Sequence, residues 1–389
     1  MKLSQRAISI SPSATLSISD KAKELKAQGQ PVLSFSAGEP DFGSPQAACQ
    51  AAIEAIERGE THYTPNSGIG ELKKAVAGYY KKRFGLEYSA GEILVTSGLK
   101  TMLYETVQML AGPGDEVLVF TPAWVSYVEQ IKLADGRAVP VDTSGNGFSP
   151  SLTEIDKSIT GRTRGMIINT PCNPTGAVYS AKTLRMLADV AVKYDLWIIF
   201  DEVYERLTYG GARHVNILQA APEIRDRVII ANGVSKTYSM TGWRIGYALG
   251  PSEAIKKIDG LQSHLTSNAS SIAQWAAAAA INEAEDEVER NRAAFERRRD
   301  LICGLLSEIK PLKFASPDGA FYIFIDIRGT GLPDDMEFCR RLLEEKYVAL
   351  VPGAAFSAPG YVRMSYACSE SDLKDGAASI KEFVEAQGQ

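Results

Sequence analysis

The chain has 389 residues, enough to bury a large core and to make two domains. Hydrophobic residues make up 45% and charged residues 23%, ordinary for a globular protein, and a net charge of −5 offers no basic footprint for nucleic acid. No apolar run reaches the ~18 residues that span a bilayer, and Met1-Lys2-Leu3-Ser4-Gln5-Arg6 leads into serines and a proline rather than an apolar signal core, so a cytoplasmic protein is expected.

In chain order, Pro12-Ser13-Ala14-Thr15 precedes a helix that begins near Leu16, where Ser13 and Thr15 can cap. Gly38 follows in Ala37-Gly38-Glu39-Pro40-Asp41-Phe42, and Tyr63 in His62-Tyr63-Thr64-Pro65. Gly68-Ile69-Gly70 lacks a third glycine and follows no strand, which excludes the dinucleotide fingerprint. Residues 92–96 are then a predicted strand and residues 101–110 a helix. Ser97, Gly98 and Leu99 join them, with Lys100 next, so a hydroxyl and a glycine stand at a helix N-terminus, where free amides suit a phosphate or simply a cap.

The next predicted elements are a strand at 116–120, a helix at about 125–135, and strands at 165–169, 196–200 and 227–231. Continuous β-branched runs that alternate with helices predict a mostly parallel sheet covered on both faces, in an α/β domain over about residues 46–284. Trp124 lies in a strand–helix loop, where an aromatic is commonly core. Asn173 heads Asn173-Pro174-Thr175-Gly176. Asp201 ends an apolar strand in Asp201-Glu202-Val203-Tyr204; a buried carboxylate there needs a partner, either the next turn or a cationic N–H. Lys236 sits in Ser235-Lys236-Thr237-Tyr238-Ser239-Met240-Thr241-Gly242-Trp243-Arg244, between a solvated loop lysine and a Schiff-base lysine beside an anion-binding arginine.

Alanines 276–280 are helical. A charged helix over 285–309 carries Arg297-Arg298-Arg299 among acidic residues, a solvated face. Beyond it lie strand-like residues 320–325, a helix at about 336–346, and strand-like residues 348–352 and 361–366, the last containing Arg363; these make a smaller α+β domain. The five cysteines (Cys49, Cys172, Cys303, Cys339, Cys368) form no C-x-x-C pair, and the three histidines show no metal-ligand spacing, so reduced thiols and no metal are expected. Cys172 reads as a small buried filler beside Asn173.

The order and spacing of Asn173-Pro174-Thr175-Gly176, Asp201-Glu202-Val203-Tyr204 and the Lys236 run resemble the fold-type I, class I aminotransferases that use pyridoxal phosphate, in particular their bacterial aspartate aminotransferase-like subgroup. The resemblance covers essentially the whole chain. It implies a large domain with a mostly parallel seven-stranded sheet between helices plus a smaller α+β domain, divided as 1–45 (an N-terminal arm and the first part of the small domain), 46–284 and 285–389. It implies that Lys236 is the Schiff-base lysine and proton shuttle, that Asp201 pairs with the ring nitrogen, and that Tyr204 and Asn173 bond the ring oxygen. Trp124 stacks on the ring in this family, Ser97, Gly98, Leu99 and Arg244 hold the phosphate, and Tyr63 reaches the partner subunit's phosphate in a homodimer.

Arg363 and the Gly38 amide resemble the groups that bind the substrate's α-carboxylate, and Ser13, Thr15 and Lys100 those that meet a distal carboxylate. All three of the latter are hydrogen-bond donors. The implied activity is transfer of the amino group of L-aspartate to 2-oxoglutarate by a ping-pong mechanism. The alternatives are a transaminase of the same fold for neutral or aromatic amino acids or prephenate, and a pyridoxal-phosphate lyase or decarboxylase. Prephenate users carry a basic residue where this chain has Ser11. A regulator would need a further DNA-binding domain ahead of the Gly38 motif, and an inactive relative would not be expected to retain Lys236, Asp201 and Arg363. One departure from the family pattern is Gly233, where many relatives carry a serine; Ser235 is the expected substitute.

Overall fold

The computed structural model describes residues 2–4, 8, 10 and 14–387. Its centre is a seven-stranded sheet built from β2 (Ile93–Thr96), β3 (Glu116–Thr121), β4 (Arg137–Asp142), β5 (Thr163–Asn169), β6 (Trp197–Asp201), β7 (Val228–Gly233) and β8 (Gly246–Leu249), in the order β2-β8-β7-β6-β5-β3-β4. β1 (Leu33–Ser34) precedes these in the chain and lies elsewhere. Only β8 runs against its neighbours in this sheet.

The uniformly apolar strands are buried along their whole length because both faces are covered. Alternate residues divide between two cores. Val95, Leu118, Ile168, Phe200 and Ile230 face one side, and Leu94, Val119, Ile167, Ile199 and Ile229 the other. Helices with apolar faces close the layers; Ala181–Lys193, for example, buries Leu184, Leu187, Ala188 and Ala191 and is capped by the Ser180 hydroxyl, which accepts from the Thr183 amide.

Two strands of this sheet were not identified from the residues. β4 is the edge strand, with alternating exposure and Pro140 within it, so it lacks a continuous apolar run. β8 is four residues long and begins at a glycine.

A second sheet, antiparallel, has the order β12-β13-β10-β9, with β9 (Lys313–Phe314), β10 (Tyr322–Asp326), β12 (Val351–Pro352) and β13 (Tyr361–Ser365). It packs with helices Asp335–Lys346 and Glu370–Gln387 around Phe321, Ile323, Phe338, Met364 and Phe383. β1 pairs in parallel with β11 (Val348–Ala349), and the Ser365 amide donates to the Phe35 carbonyl at 2.9 Å. The N-terminal segment around Gly38 is thereby tied to the C-terminal part of the chain. No described helix is long and apolar enough to cross a membrane, and no metal-ligand cluster occurs among the described residues.

Candidate active site

The register of the large sheet gathers the functional side chains. Asn169, Asp201 and Ala231 are aligned across β5, β6 and β7, while Thr96, Gly246 and Gly233 are aligned across β2, β8 and β7. The carboxyl ends of the parallel strands and the start of antiparallel β8 therefore share one edge. Loops bearing Ser97, Trp124, Asn173, Asp201, Lys236 and Arg244 all leave from that edge, the usual place for a ligand in an open α/β sheet.

At one end is an anion cradle. Gly98 is the N-cap of the helix Leu99–Leu110 and has φ +88°, a conformation that only glycine adopts freely; a Cβ there would also run into the Arg244 guanidinium. No side chain caps this helix, so its first amides stay open for an anion. Arg244 gives Nη1 to the Thr241 carbonyl at 2.7 Å, which fixes the fork. Ser97 and Arg244 line a cleft of about 870 Å³.

Gly233 explains the missing serine. A Cβ at this position would lie 2.8 Å from the Ile245 carbonyl oxygen and 3.0 Å from Gly246 Cα, backbone atoms that cannot swing away. Gly233→Ser is therefore expected to cost about 1–3 kcal/mol through overpacking, without tightening phosphate binding. Thermal melting and cofactor titration check this; a serine variant that melts no lower would show that β7 and β8 can part. Ser235, the expected substitute, is 7% exposed.

In the middle, Asp201 is 2% exposed; it accepts from the Tyr127 hydroxyl at 2.6 Å and from the Val203 amide at 3.2 Å. Burial lifts its pKa to about 6 against these two donors. Trp124 stands edge-on to Tyr127, 5.3 Å between centroids. The Asn173 amide donates to Asn169 Oδ1 at 2.8 Å, which holds its loop to β5. Cys172 is buried as a filler, its thiol pushed up by burial.

Lys236 Nζ donates to the Gly38 carbonyl at 2.5 Å. Burial brings its pKa down to about 8; Arg363, Arg244 and Lys100 act in the same direction and Glu39 opposes them. The amine thus sheds its proton far more readily than an ordinary lysine, which suits a base working near neutrality.

Arg363, on β13, is 3% exposed. Its Nη1 donates to Asn173 Oδ1 at 3.0 Å and its Nη2 to the Ser36 carbonyl at 2.8 Å, and the guanidinium lies 4.4 Å from the Tyr322 ring centroid and 5.0 Å from that of Phe356. Its buried Nε has no partner, and among the described residues no carboxylate pairs with it. Tyr204 shares a 2.9 Å hydrogen bond with Tyr322. Lys100, an exposed residue, holds its Nζ 5.1 Å from the Trp124 centroid.

One expected residue stands apart from this group, and two lie where no side chain is described. Tyr63 is 92% exposed and faces outward. Ser13 lies outside the described residues; Thr15 falls within the helix Ala14–Ala27, but its side chain is not among those described. Tyr127, Asn169, Ser36 and Tyr322 belong to the site and were not singled out in the sequence. Tyr127 left a signal, three residues after Trp124 in the first turn of the helix Ser126–Leu133, and Asn169 stands four residues before Asn173; Ser36 and Tyr322 are supplied by distant segments.

Known proteins resemble this chain over nearly its whole length. The family model described as aminotransferase class I and II matches residues 30–380. The aspartate aminotransferase of Geobacillus stearothermophilus is 47% identical, with 100% of both chains covered. The probable aspartate/prephenate aminotransferase of Rhizobium leguminosarum bv. phaseoli is 43% identical, with 97% of each covered. The solved aspartate aminotransferase of Thermus thermophilus with maleate superposes with a TM-score of 0.94 at 40% identity, covering 98% of this chain and 99% of that one.

Proposed function

Because the chain belongs to the class I and II aminotransferases, we propose that it moves the amino group of L-aspartate to 2-oxoglutarate, giving oxaloacetate and L-glutamate, with pyridoxal phosphate as cofactor. The observation that carries this is Arg363, a buried guanidinium with an unfilled Nε and no carboxylate beside it, placed to receive the carboxylate that every amino and oxo acid substrate brings.

The residues fit the cofactor's three demands. The open helix N-terminus at Gly98 and the Arg244 fork suit a phosphate. The buried Asp201 carboxyl suits a ring N–H, and the low-pKa amine of Lys236 suits a carbonyl carbon. When bound, the group supplies an electrophilic carbon and an electron-withdrawing ring.

The chain's own residues do the rest. Arg363 and the Gly38 amide fix the substrate carboxylate and so orient the Cα–H bond. Lys236, once neutral, would take that proton and deliver it to the cofactor carbon two bonds away, across the substrate nitrogen. With the cofactor bound, Asp201 would hold a positive charge at the ring nitrogen, Tyr204 and Asn173 would hold the ring oxygen, and Trp124 would cover the ring face.

Domain division follows the same proposal. Residues 1–45 and 285–389 form a small domain that carries Gly38 and Arg363, and residues 46–284 form the large one. Substrate bridging the two closes them and expels water. Tyr63, with Ile53, Ile56 and Leu265, is an exposed apolar group that suits a homodimer in which Tyr63 reaches the partner's phosphate. Work in the cytoplasm fits the reduced thiols.

Lys100, beside Trp124 and Arg244, is the described cation for a distal carboxylate, and the solved Thermus relative with maleate carries a four-carbon dicarboxylate. Lys100→Ala is expected to lower kcat/KM for L-aspartate roughly tenfold or more while changing L-alanine little. Equal losses for both would remove Lys100 from the specificity.

The test of the whole proposal is absorbance. The purified protein is expected to show a visible cofactor band that L-aspartate bleaches and 2-oxoglutarate restores. A band answering only to another amino acid, or to prephenate as acceptor, discards the specificity. No band after incubation with pyridoxal phosphate discards the cofactor.

A further inference from the structure

Behind Asp201 lies a second carboxylate that the mechanism above does not use. Glu202 is completely buried. Its Oε1 accepts from the Tyr80 hydroxyl at 2.6 Å; its Oε2 accepts from Asn216 Nδ2 at 3.0 Å and meets His214 Nε2 at 2.6 Å. Asn232 Nδ2 donates to the Tyr80 hydroxyl at 3.2 Å, which commits the phenol's own hydrogen to Glu202. Burial, then the charge of Glu202, holds that phenol protonated.

Four segments thus converge on one carboxylate: β6's end, the helix Gly70–Phe84, the loop at 214–216, and β7 through Asn232. A carboxyl that receives two certain donors and a third from imidazole behaves as an acceptor-only anion.

The imidazole adds one hydrogen bond to this carboxylate. Its side chain is 1% exposed, and Nδ1 is buried without a partner. An imidazolium would strand an N–H there, whereas the neutral tautomer that donates from Nε2 does not. The other titratable groups that face Glu202 are Tyr88 and Tyr247, phenols held protonated first by burial. Asp201 is its chain neighbour. Arg83, one of the cations on the same helix as Tyr80, is taken by Glu205 at 2.7 Å. Among the described residues no lysine or arginine pairs with Glu202.

We propose that Glu202 is a buried carboxylate that acts as a positioning residue through Asp201: it adds a second negative charge behind the ring-nitrogen site and so keeps positive charge on the bound cofactor to higher pH. The proposal rests on the cofactor assignment above. Its physical basis is distance and dielectric. A unit charge within about 10 Å of a site, at an effective dielectric of about 20, moves a titration by on the order of one pH unit. Glu202 raises the proton affinity of Asp201 in the same direction, in addition to the larger effect of burial.

The experiment is the pH titration of the visible band of the pyridoxal phosphate-loaded protein, together with its cofactor dissociation constant and melting curve. Glu202→Gln keeps the side chain's shape and removes its charge; it is expected to lower the band's midpoint by about one pH unit. His214→Lys leaves Glu202 in place and sets an ammonium against it. It is expected to lower the midpoint in the same direction, and it carries the test if Glu202→Gln does not fold. Glu202→Asp and Tyr80→Phe keep the charge and disturb only packing and hydrogen bonds, so their midpoints are expected to stay within a few tenths of a unit while their melting temperatures fall. An unmoved midpoint in a folded, cofactor-binding Glu202→Gln or His214→Lys protein overturns the proposal, as does an equal fall in the charge-retaining variants. Absence of any band in the unaltered protein would instead remove the cofactor assignment.

Discussion

Lys236→Ala is expected to lower kcat by more than about 10⁴-fold, because one side chain is both the covalent anchor and the base. The geometry concentrates these roles. Nζ is aimed at Gly38, in the segment proposed to bind the substrate carboxylate, and burial has brought its pKa to about 8. Nothing nearby replaces it: the other cations acting on this point are Arg363, Arg244 and Lys100, of which the arginines stay protonated. Lys236→Arg is expected to fail equally, since it restores charge but no proton acceptor. Multiple-turnover assays with L-aspartate and 2-oxoglutarate decide the matter, with circular dichroism to confirm folding. Turnover within tenfold of the unaltered protein would overturn the assignment.

Arg363→Ala is expected to cut kcat/KM for every amino acid substrate by about 10²–10⁴-fold, the size of a lost charged pair in a buried site. Two effects add. The substrate loses a bidentate partner, and Asn173 Oδ1 and the Ser36 carbonyl lose the donors that satisfied them. Arg363→Lys is expected to recover only part, because an ammonium cannot reproduce the planar fork or lie flat against Tyr322 and Phe356.

Removing an unpaired buried charge also relieves a desolvation cost. The melting temperature of Arg363→Ala in the absence of substrate is therefore expected to stay level or rise. A loss confined to L-aspartate, with L-alanine untouched, would move Arg363 from the α-carboxylate to the side chain.

Individual elements show how far the sequence could be read. The strands at 92–96, 116–120, 165–169, 196–200 and 227–231 were legible because a strand buried on both faces is apolar at nearly every position. β4 and β8 were not, one being an alternating edge strand and the other a short run after a glycine. Lys236, Asp201, Asn173 and Arg244 stand in short runs whose order and spacing match a family, so their chemistry was visible before any contact was known. Gly233 was visible only as an absence; the backbone of Ile245 and Gly246 pressed against it gives the reason.

By itself, then, the sequence determined the type and order of the reactive groups and the alternation of strand and helix, because both depend on residues near one another in the chain. Which groups meet was decided by the tertiary structure. Arg363 binds Asn173 from 190 residues away and Ser36 from 327, Tyr204 meets Tyr322 across 118, and Glu202 draws Tyr80 from 122. No local periodicity encodes such pairs. They follow from strand register, from one antiparallel strand that starts at the carboxyl edge just after Arg244, and from a β1–β11 pairing that ties Gly38 to the C-terminal part of the chain. Burial at those meeting points, rather than residue type, moved Lys236 and Asp201 toward the pH range in which they can act.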